Sequence, residues 1–284
     1  MEMVHFIPPS QRRLALLASQ ADLSPVLIYG ASGTGKGAIA KWIHANSPRT
    51  GRALITAQND QPLFDQLIQA QGGTFVIPEI GKWPLSDQKK LLTFLESKCM
   101  VHPTDEQLTT VANVRIIATT SQALEGRAQG GLFNPELLDQ FSQFRIEMPS
   151  LNQRKDEFMD IAMGILGEVT RELHREYLRN FSDEAWSRLQ SYEWPGNLRE
   201  LRNVISLAAA AAPGDQIETQ DLPHFEISRI DFRSTREEFE KIYILELLRT
   251  SNGDIDHTCK MNQINRASLD EKIRLYGISL QQDR

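Results

Sequence analysis

Gly30-Ala31-Ser32-Gly33-Thr34-Gly35-Lys36 is a run suited to holding phosphate. Its glycines let successive backbone N–H groups turn inward on an anion, and Lys36 can reach the terminal phosphates. Such a loop needs a strand to launch it and a helix whose N-terminus adds partial positive charge. The apolar run 25–29 reads as that strand, and residues 37–44 as that helix. Gly37 stands where a general loop of this kind carries Ser or Thr for Mg²⁺.

Further strand-like runs fall at 53–56, 74–77, 114–119 and 144–148, with helical patterns between them. In the segment 86–97, Leu91, Leu92 and Leu95 share one helix face. This alternation predicts an α/β domain with an open, mostly parallel sheet covered by helices. From Pro149-Ser150 onward no convincing strand is visible, and helices are expected at 156–173, 183–191 and 196–212. Ser182 is placed to cap the second of these, and Pro213-Gly214-Asp215 to stop the third. Asp221-Leu222-Pro223 begins a linker. A long helix from about 234 to 249, a break at Asn252-Gly253 and two short helices ending near Gly277 complete the pattern.

The 284 residues are 40% hydrophobic and 24% charged, as in ordinary globular proteins. No apolar run approaches the roughly 20 residues of a membrane span, so no membrane partner is expected. Residues 1–10 carry no secretion signal, and the two distant cysteines, Cys99 and Cys259, fit a reducing cytoplasm. Cys99 and His102 lack a second ligand pair and read as a surface turn rather than a metal site. A net charge of −6 argues against nucleic-acid binding by bulk electrostatics, though not against a local patch.

Three stretches together carry a resemblance: the loop at 30–36, Gly73-Thr74-Phe75-Val76-Ile77-Pro78-Glu79-Ile80-Gly81, and Trp194-Pro195-Gly196-Asn197-Leu198-Arg199-Glu200-Leu201. With them the chain resembles the AAA+ domain of bacterial sigma-54-dependent transcription activators, over nearly all of residues 4–224. Residues 88–96 resemble the family's helix after Walker B, Val114-Arg115-Ile116-Ile117-Ala118-Thr119-Thr120 its sensor I strand, and 149–161 the approach to its helical lid. Residues 252–278 are similar to the family's Fis-type helix-turn-helix, with Thr258, Cys259 and Gln263 at positions where it usually carries small residues and a turn glycine. The resemblance implies an AAA+ nucleotide-binding subdomain at 1–149, a helical lid at 150–227 and a Fis-like helix-turn-helix at 228–284. It implies ATP or ADP held by Gly30, Ala31, Ser32, Gly33, Thr34, Gly35, Lys36 and Gly37, with Arg199 at the sensor II position. Ser121 stands near the sensor I Asn, either as a γ-phosphate contact or as a loop cap.

The chain also departs from the family. Walker B normally ends in Asp-Glu, and here the pair is Pro78-Glu79. Proline brings no carboxylate to Mg²⁺ and ends a strand. Glu79 is the remaining candidate for polarising water, with a structural carboxylate as the preferred reading. The family's Phe-Arg-x-Asp-Leu-x-x-Arg-Leu stretch falls on residues 133–141, so Asn134 and Gln140 replace two arginine fingers. Such a finger is commonly worth ~10³–10⁵ in turnover. Arg145 is nearby but reads as a sheet-edge residue. The family's Gly-Ala-Phe-Thr-Gly-Ala loop is absent, since residues 63–71 run directly into Gly72-Gly73. Conventional sigma-54 remodelling is therefore not expected.

In the tail, Arg266, Ser268, Lys272 and Arg274 are the candidate DNA contacts, accompanied by Asp270 and Glu271. The preceding helix offers Phe239, Ile242, Tyr243, Leu245 and Leu248 as a dimerisation face. No receiver or sensory domain is expected ahead of the AAA+ region, and control is expected from a ligand, a partner or expression level. The first reading is a cytoplasmic DNA-binding transcription regulator on a degenerate scaffold, with nucleotide retained as a ligand or vestigial. Cyclic di-GMP, which some degenerate relatives bind, is allowed as a ligand. The alternatives are an active ATPase remodelling another partner, or an adaptor for an intact family member. A dimer or monomer is expected over a hexamer.

Overall fold

The computed structural model describes residues 6–58, 60–102, 105–111 and 113–223, then 241, 244–245, 247–248, 251, 254–262, 265–276 and 278. The chain divides into two units, Met1–Asp221 and Leu222–Arg284.

The first unit is built on five parallel strands. They are β1 (Val26–Tyr29), β2 (Leu54–Thr56), β3 (Thr74–Ile77), β6 (Arg115–Thr120) and β7 (Arg145–Glu147), in the order β2-β3-β6-β1-β7. A parallel sheet covered on both faces needs nearly continuous apolar strands. Accordingly β3 and β6 are buried along their whole lengths. Alternate side chains feed two cores. Leu27, Phe75, Ile77 and Ile116 join Leu91, Phe94, Phe133 and Phe141 on one face. Val26, Ile28, Ile117 and Ile146 meet Ile39 and Ile43 on the other. β1 lies inside the sheet, with β6, β3 and β2 on one side and β7 on the other. The crevice at its carboxyl end is where such sheets bind ligands.

Helices α1 (Pro9–Gln20), α2 (Lys36–Ala45), α3 (Leu63–Gln69), α4 (Leu85–Ser97), α5 (Leu124–Gln129) and α6 (Pro135–Gln140) cover the sheet. All five expected strands are present to within two residues at each end. Helix α1 was not anticipated, because it buries the small residues Ala15, Ala18 and Ser19 while leaving Leu16 and Leu17 exposed. Cys99 and His102 do not form a turn. They are the ends of β4 (Cys99–His102), which pairs antiparallel with β5 (Asp105–Val111). The β-branched Thr109-Thr110-Val111 run is the sequence signal for that hairpin.

The lid follows as a 3₁₀ turn (Leu151–Glu157) and the helices α7 (Phe158–Glu172), α8 (Asp183–Ser191) and α9 (Asn197–Ala211). Ser182 caps α8 by accepting from the Ala185 N–H, as expected. Arg175 Nη1 donates to the carbonyls of Ala209, Ala210 and Ala212, satisfying the orphan acceptors where α9 ends. One short parallel pair, β8 (Asn180–Phe181) with β9 (Gln216–Ile217), corrects the expectation of a strandless lid.

In the second unit, helices Ile255–Asn262 and Arg266–Leu275 pack through Leu269 onto Ile244, Leu248 and Ile278. Leu248 therefore belongs to this unit's own core, whereas Leu245 is exposed. Phe239, Ile242, Tyr243 and Gln263 lie outside the described residues.

One buried ionisable group sets a pH limit on the first unit. His44, at the end of α2, faces Thr74 Oγ1 at 2.9 Å. Burial, with Arg115 and Arg49 nearby, holds its pKa below the ordinary 6.5 against a smaller opposing backbone hydrogen bond. The unfolded chain therefore takes up a proton first. Stability should be full above pH 6.5 and decline as pH falls through and below it. Thermal melts between pH 7.5 and 5 should show this decline, and His44→Gln should flatten it.

Candidate phosphate-binding site

The loop 30–36 leaves β1 and enters α2 within two close backbone approaches. A Cβ at Gly30 (φ 145°) would lie 2.0 Å from the Met148 carbonyl oxygen. One at Gly33 (φ 79°) would lie 2.1 Å from the Gly196 oxygen. The first contact fits the loop against the strand end β7, and the second brings it against the lid. Inside the loop, Thr34 Oγ1 donates to the Ala31 carbonyl at 2.9 Å. Lys36 Nζ donates to the Gly30 and Ala31 carbonyls, both at 2.8 Å.

The Trp194–Leu201 stretch holds the lid to this loop. Asn197 Nδ2 donates to the Ser32 carbonyl at 2.9 Å, and its Oδ1 accepts from the Leu151 N–H at 2.7 Å. The Arg199 N–H donates to the Gly33 carbonyl at 3.1 Å. Glu200, 2% exposed, accepts from the Gly196 N–H at 2.7 Å and the Tyr192 hydroxyl at 3.0 Å. Burial and the Glu200 carboxylate push the Tyr192 phenol up to about 12, so it stays a donor. The Trp194 indole donates to Leu189 and packs edge-on to Tyr192 and against Phe158. Trp194 (φ 52°) and Asn197 (φ 54°) both adopt the left-handed conformation, which these surrounding bonds hold.

Loop and lid enclose a cavity of about 500 Å³. Ser32, Gly33, Gly35, Lys36, Gly37, Glu79 and Arg199, all named from the sequence, lie at its wall. Gly30, Ala31 and Thr34 shape the loop behind it. Phe6, Ile165 and Leu198 add an apolar side that sequence reasoning missed. It also missed the charged Glu168 and Arg202, which bridge α7 and α9: Arg202 bonds Glu168 and Glu172, each at 2.6 Å. Leu198 and Arg202 lie in or beside the Trp194–Leu201 motif and were findable. Phe6 carries no local signal.

Lys36 is 7% exposed, and burial pulls its ammonium pKa down. Glu79 opposes that shift and Arg199 adds to it. Glu79 Oε1 lies 3.9 Å from Lys36 Nζ. Its Oε2 accepts from the Ser121 N–H at 2.9 Å and the Ser121 hydroxyl at 2.7 Å. Ser121 thus contacts the carboxylate.

The residues present do not fit a Mg²⁺ ion, which needs oxygen ligands in near-ideal octahedral geometry. Pro78 lines the cavity with no donor, and the position of a Cβ at Gly37 is open space. Of the cavity carboxylates, Glu168 is paired with Arg202 and Glu79 is held by Ser121. No cluster of three or more metal-binding residues exists among the described residues.

Asn134 and Gln140 sit at the two ends of α6. Asn134 caps α6, accepting from the Glu136 and Leu137 N–H groups, and Gln140 is the last residue of that helix. Arg145 opens the edge strand β7, pairs with Glu125 and covers the Tyr29 ring at 5.6 Å. In the second unit, Asn265 caps the helix that carries Arg266, Ser268, Lys272 and Arg274. Ser268 and Arg274 are exposed, while Arg266 pairs with Asp256 and lies 3.7 Å from Asp270.

Removing the Asn197 side chain leaves the Leu151 N–H and the Ser32 carbonyl without partners. Asn197→Ala should cost about 2–4 kcal/mol in chemical denaturation. A loss below about 0.5 kcal/mol would place the lid's attachment elsewhere.

Comparison with known proteins agrees with this architecture. Residues 10–151 match the Sigma-54 interaction domain, 152–236 the AAA+ ATPase lid domain, and 235–276 the Fis family of bacterial regulatory proteins. The alginate biosynthesis transcriptional regulatory protein AlgB of Pseudomonas syringae is 32% identical over 300 residues, 95% of this chain and 66% of AlgB. The transcriptional regulatory protein GlrR of Escherichia coli is 32% identical over 89% of this chain and 62% of its own. ZraR of Escherichia coli is 30% identical over 95% of this chain and 68% of its own. The chain thus spans about two thirds of these relatives. The crystal structure of NtrX from Brucella abortus in complex with ATP has a similar fold (TM-score 0.64, 24% identity, 95% of this chain and 67% of that one). The chain belongs to the family of transcriptional regulators that join a sigma-54 interaction domain to an AAA+ lid and a Fis-type helix-turn-helix.

Proposed function

We propose that this protein is a DNA-binding transcription regulator that keeps its nucleotide site as a ligand cradle and hydrolyses little or no ATP. The observation that carries the reading is the contrast inside one cavity. The phosphate loop, Lys36 and the lid contact are intact, while Pro78 and Gly37 offer no ligand to a metal. Phosphoryl transfer relies on a metal and added cations to neutralise developing charge. Asn134 and Gln140 bring no such charge to the ends of α6. Binding needs only the amides, Lys36 and Arg199. The short α3, with only residues 70–73 between it and β3, leaves no room for a long sigma-54-contacting insertion at that point. The ATP in the similarly folded NtrX structure is consistent with a nucleotide here.

DNA binding rests on the match of residues 235–276 to the Fis family and on the exposed Ser268 and Arg274 of the capped helix. Arg266 must exchange Asp256 for a phosphate or base edge when DNA arrives.

Two measurements test these halves. ATP turnover should be no higher for the wild type than for Lys36→Ala, and robust turnover lost in Lys36→Ala would establish an active ATPase instead. In gel shifts at varied salt, Arg274→Ala should weaken binding and reduce the slope of log K against log salt by about 1. Failure of the wild type to bind any genomic fragment at low salt would favour an adaptor.

A further inference from the structure

We infer that the cavity takes a nucleoside diphosphate without a metal ion, an inference that rests on the nucleotide reading above. The charges at the wall are few and fixed. Lys36 and Arg199 face the cavity as cations, whereas the Arg202 charge is already matched by Glu168 and Glu172. Glu79 stands 3.9 Å from Lys36 Nζ, the group that meets terminal phosphates. It is not a freely turning side chain. Ser121 grips one carboxylate oxygen through both N–H and hydroxyl, and the Glu79 backbone itself sits at φ 49°, directly after the fixed ring of Pro78.

In a metal-dependent site, a divalent cation lies among the phosphate oxygens and cancels their repulsion with nearby carboxylates. The donors that would hold such a cation are missing at Pro78 and Gly37. A third phosphate then brings its added charge toward Glu79 with no divalent cation to cancel the repulsion. A diphosphate ends short of that encounter while keeping the loop amides and Lys36. The site therefore discriminates by charge, and metal contributes little to its affinity.

Calorimetric titration of the full chain, stripped of nucleotide, with ADP and with ATP tests this, each in MgCl₂ and in EDTA. The ADP dissociation constant should change by less than about threefold between the two buffers, and in EDTA ADP should bind more tightly than ATP. Glu79→Gln should narrow the ADP-to-ATP gap, and Pro78→Asp should make ATP affinity rise on adding Mg²⁺. A tightening of ADP by Mg²⁺ beyond threefold, or ATP binding in EDTA as tight as ADP, overturns the inference and leaves the nucleotide reading standing. An unchanged gap in Glu79→Gln overturns the assignment of discrimination to that carboxylate. Absence of heat from both nucleotides in both buffers overturns the nucleotide reading itself. The wild-type comparison needs no variant to fold.

Discussion

The contact on which the rest of the first unit depends is the approach of Gly196 to Gly33. A carbonyl of the lid stands where any side chain on the phosphate loop would be, so the two backbones can meet only through glycine. Around that meeting, Asn197 and the Arg199 N–H tie three segments together: the loop, the 3₁₀ turn at 151 and the start of α9. Buried polar groups of this kind stabilise only when every partner is supplied, and here they are. Trp194, Glu200 and Tyr192 hold the turn in a conformation it would not keep alone. The cavity is thus framed by the protein's own hydrogen bonds.

On the function proposed above, the same frame serves binding without turnover. Preformed amides and a buried lysine recognise phosphate with little reorganisation, which favours affinity. Catalysis asks for charge that appears opposite the transition state, and on the function proposed above this site does not supply it. Asn134 closes a helix end, and Glu79 is tied to Ser121. Both side chains are well bonded where they sit. The site is therefore a settled arrangement rather than a broken one.

Much of this was legible in sequence, for identifiable reasons. The strands β1, β3 and β6 are buried on both faces, so their apolar runs stand out, and turn glycines bound the phosphate loop. The lid motif was legible as a resemblance, but its physical work was not. Nothing local in Trp194–Leu201 says that Asn197 reaches Ser32, 165 residues away. Phe6 was illegible for the same reason, since only the folded chain carries it to the cavity. Helix α1 and the hairpin of β4 and β5 were missed because the first buries alanines instead of leucines, and the second follows a helix with a one-residue break.

The central claim, that loop and lid are one assembled cradle without ligand, is tested most directly by hydrogen exchange at the Arg199 amide. In the nucleotide-free protein this N–H, bonded to the Gly33 carbonyl, should exchange as slowly as the interior amides of α9, and ADP should change its rate little. Rapid exchange that becomes slow only when ADP is added would mean the ligand builds the contact, and would contradict this account.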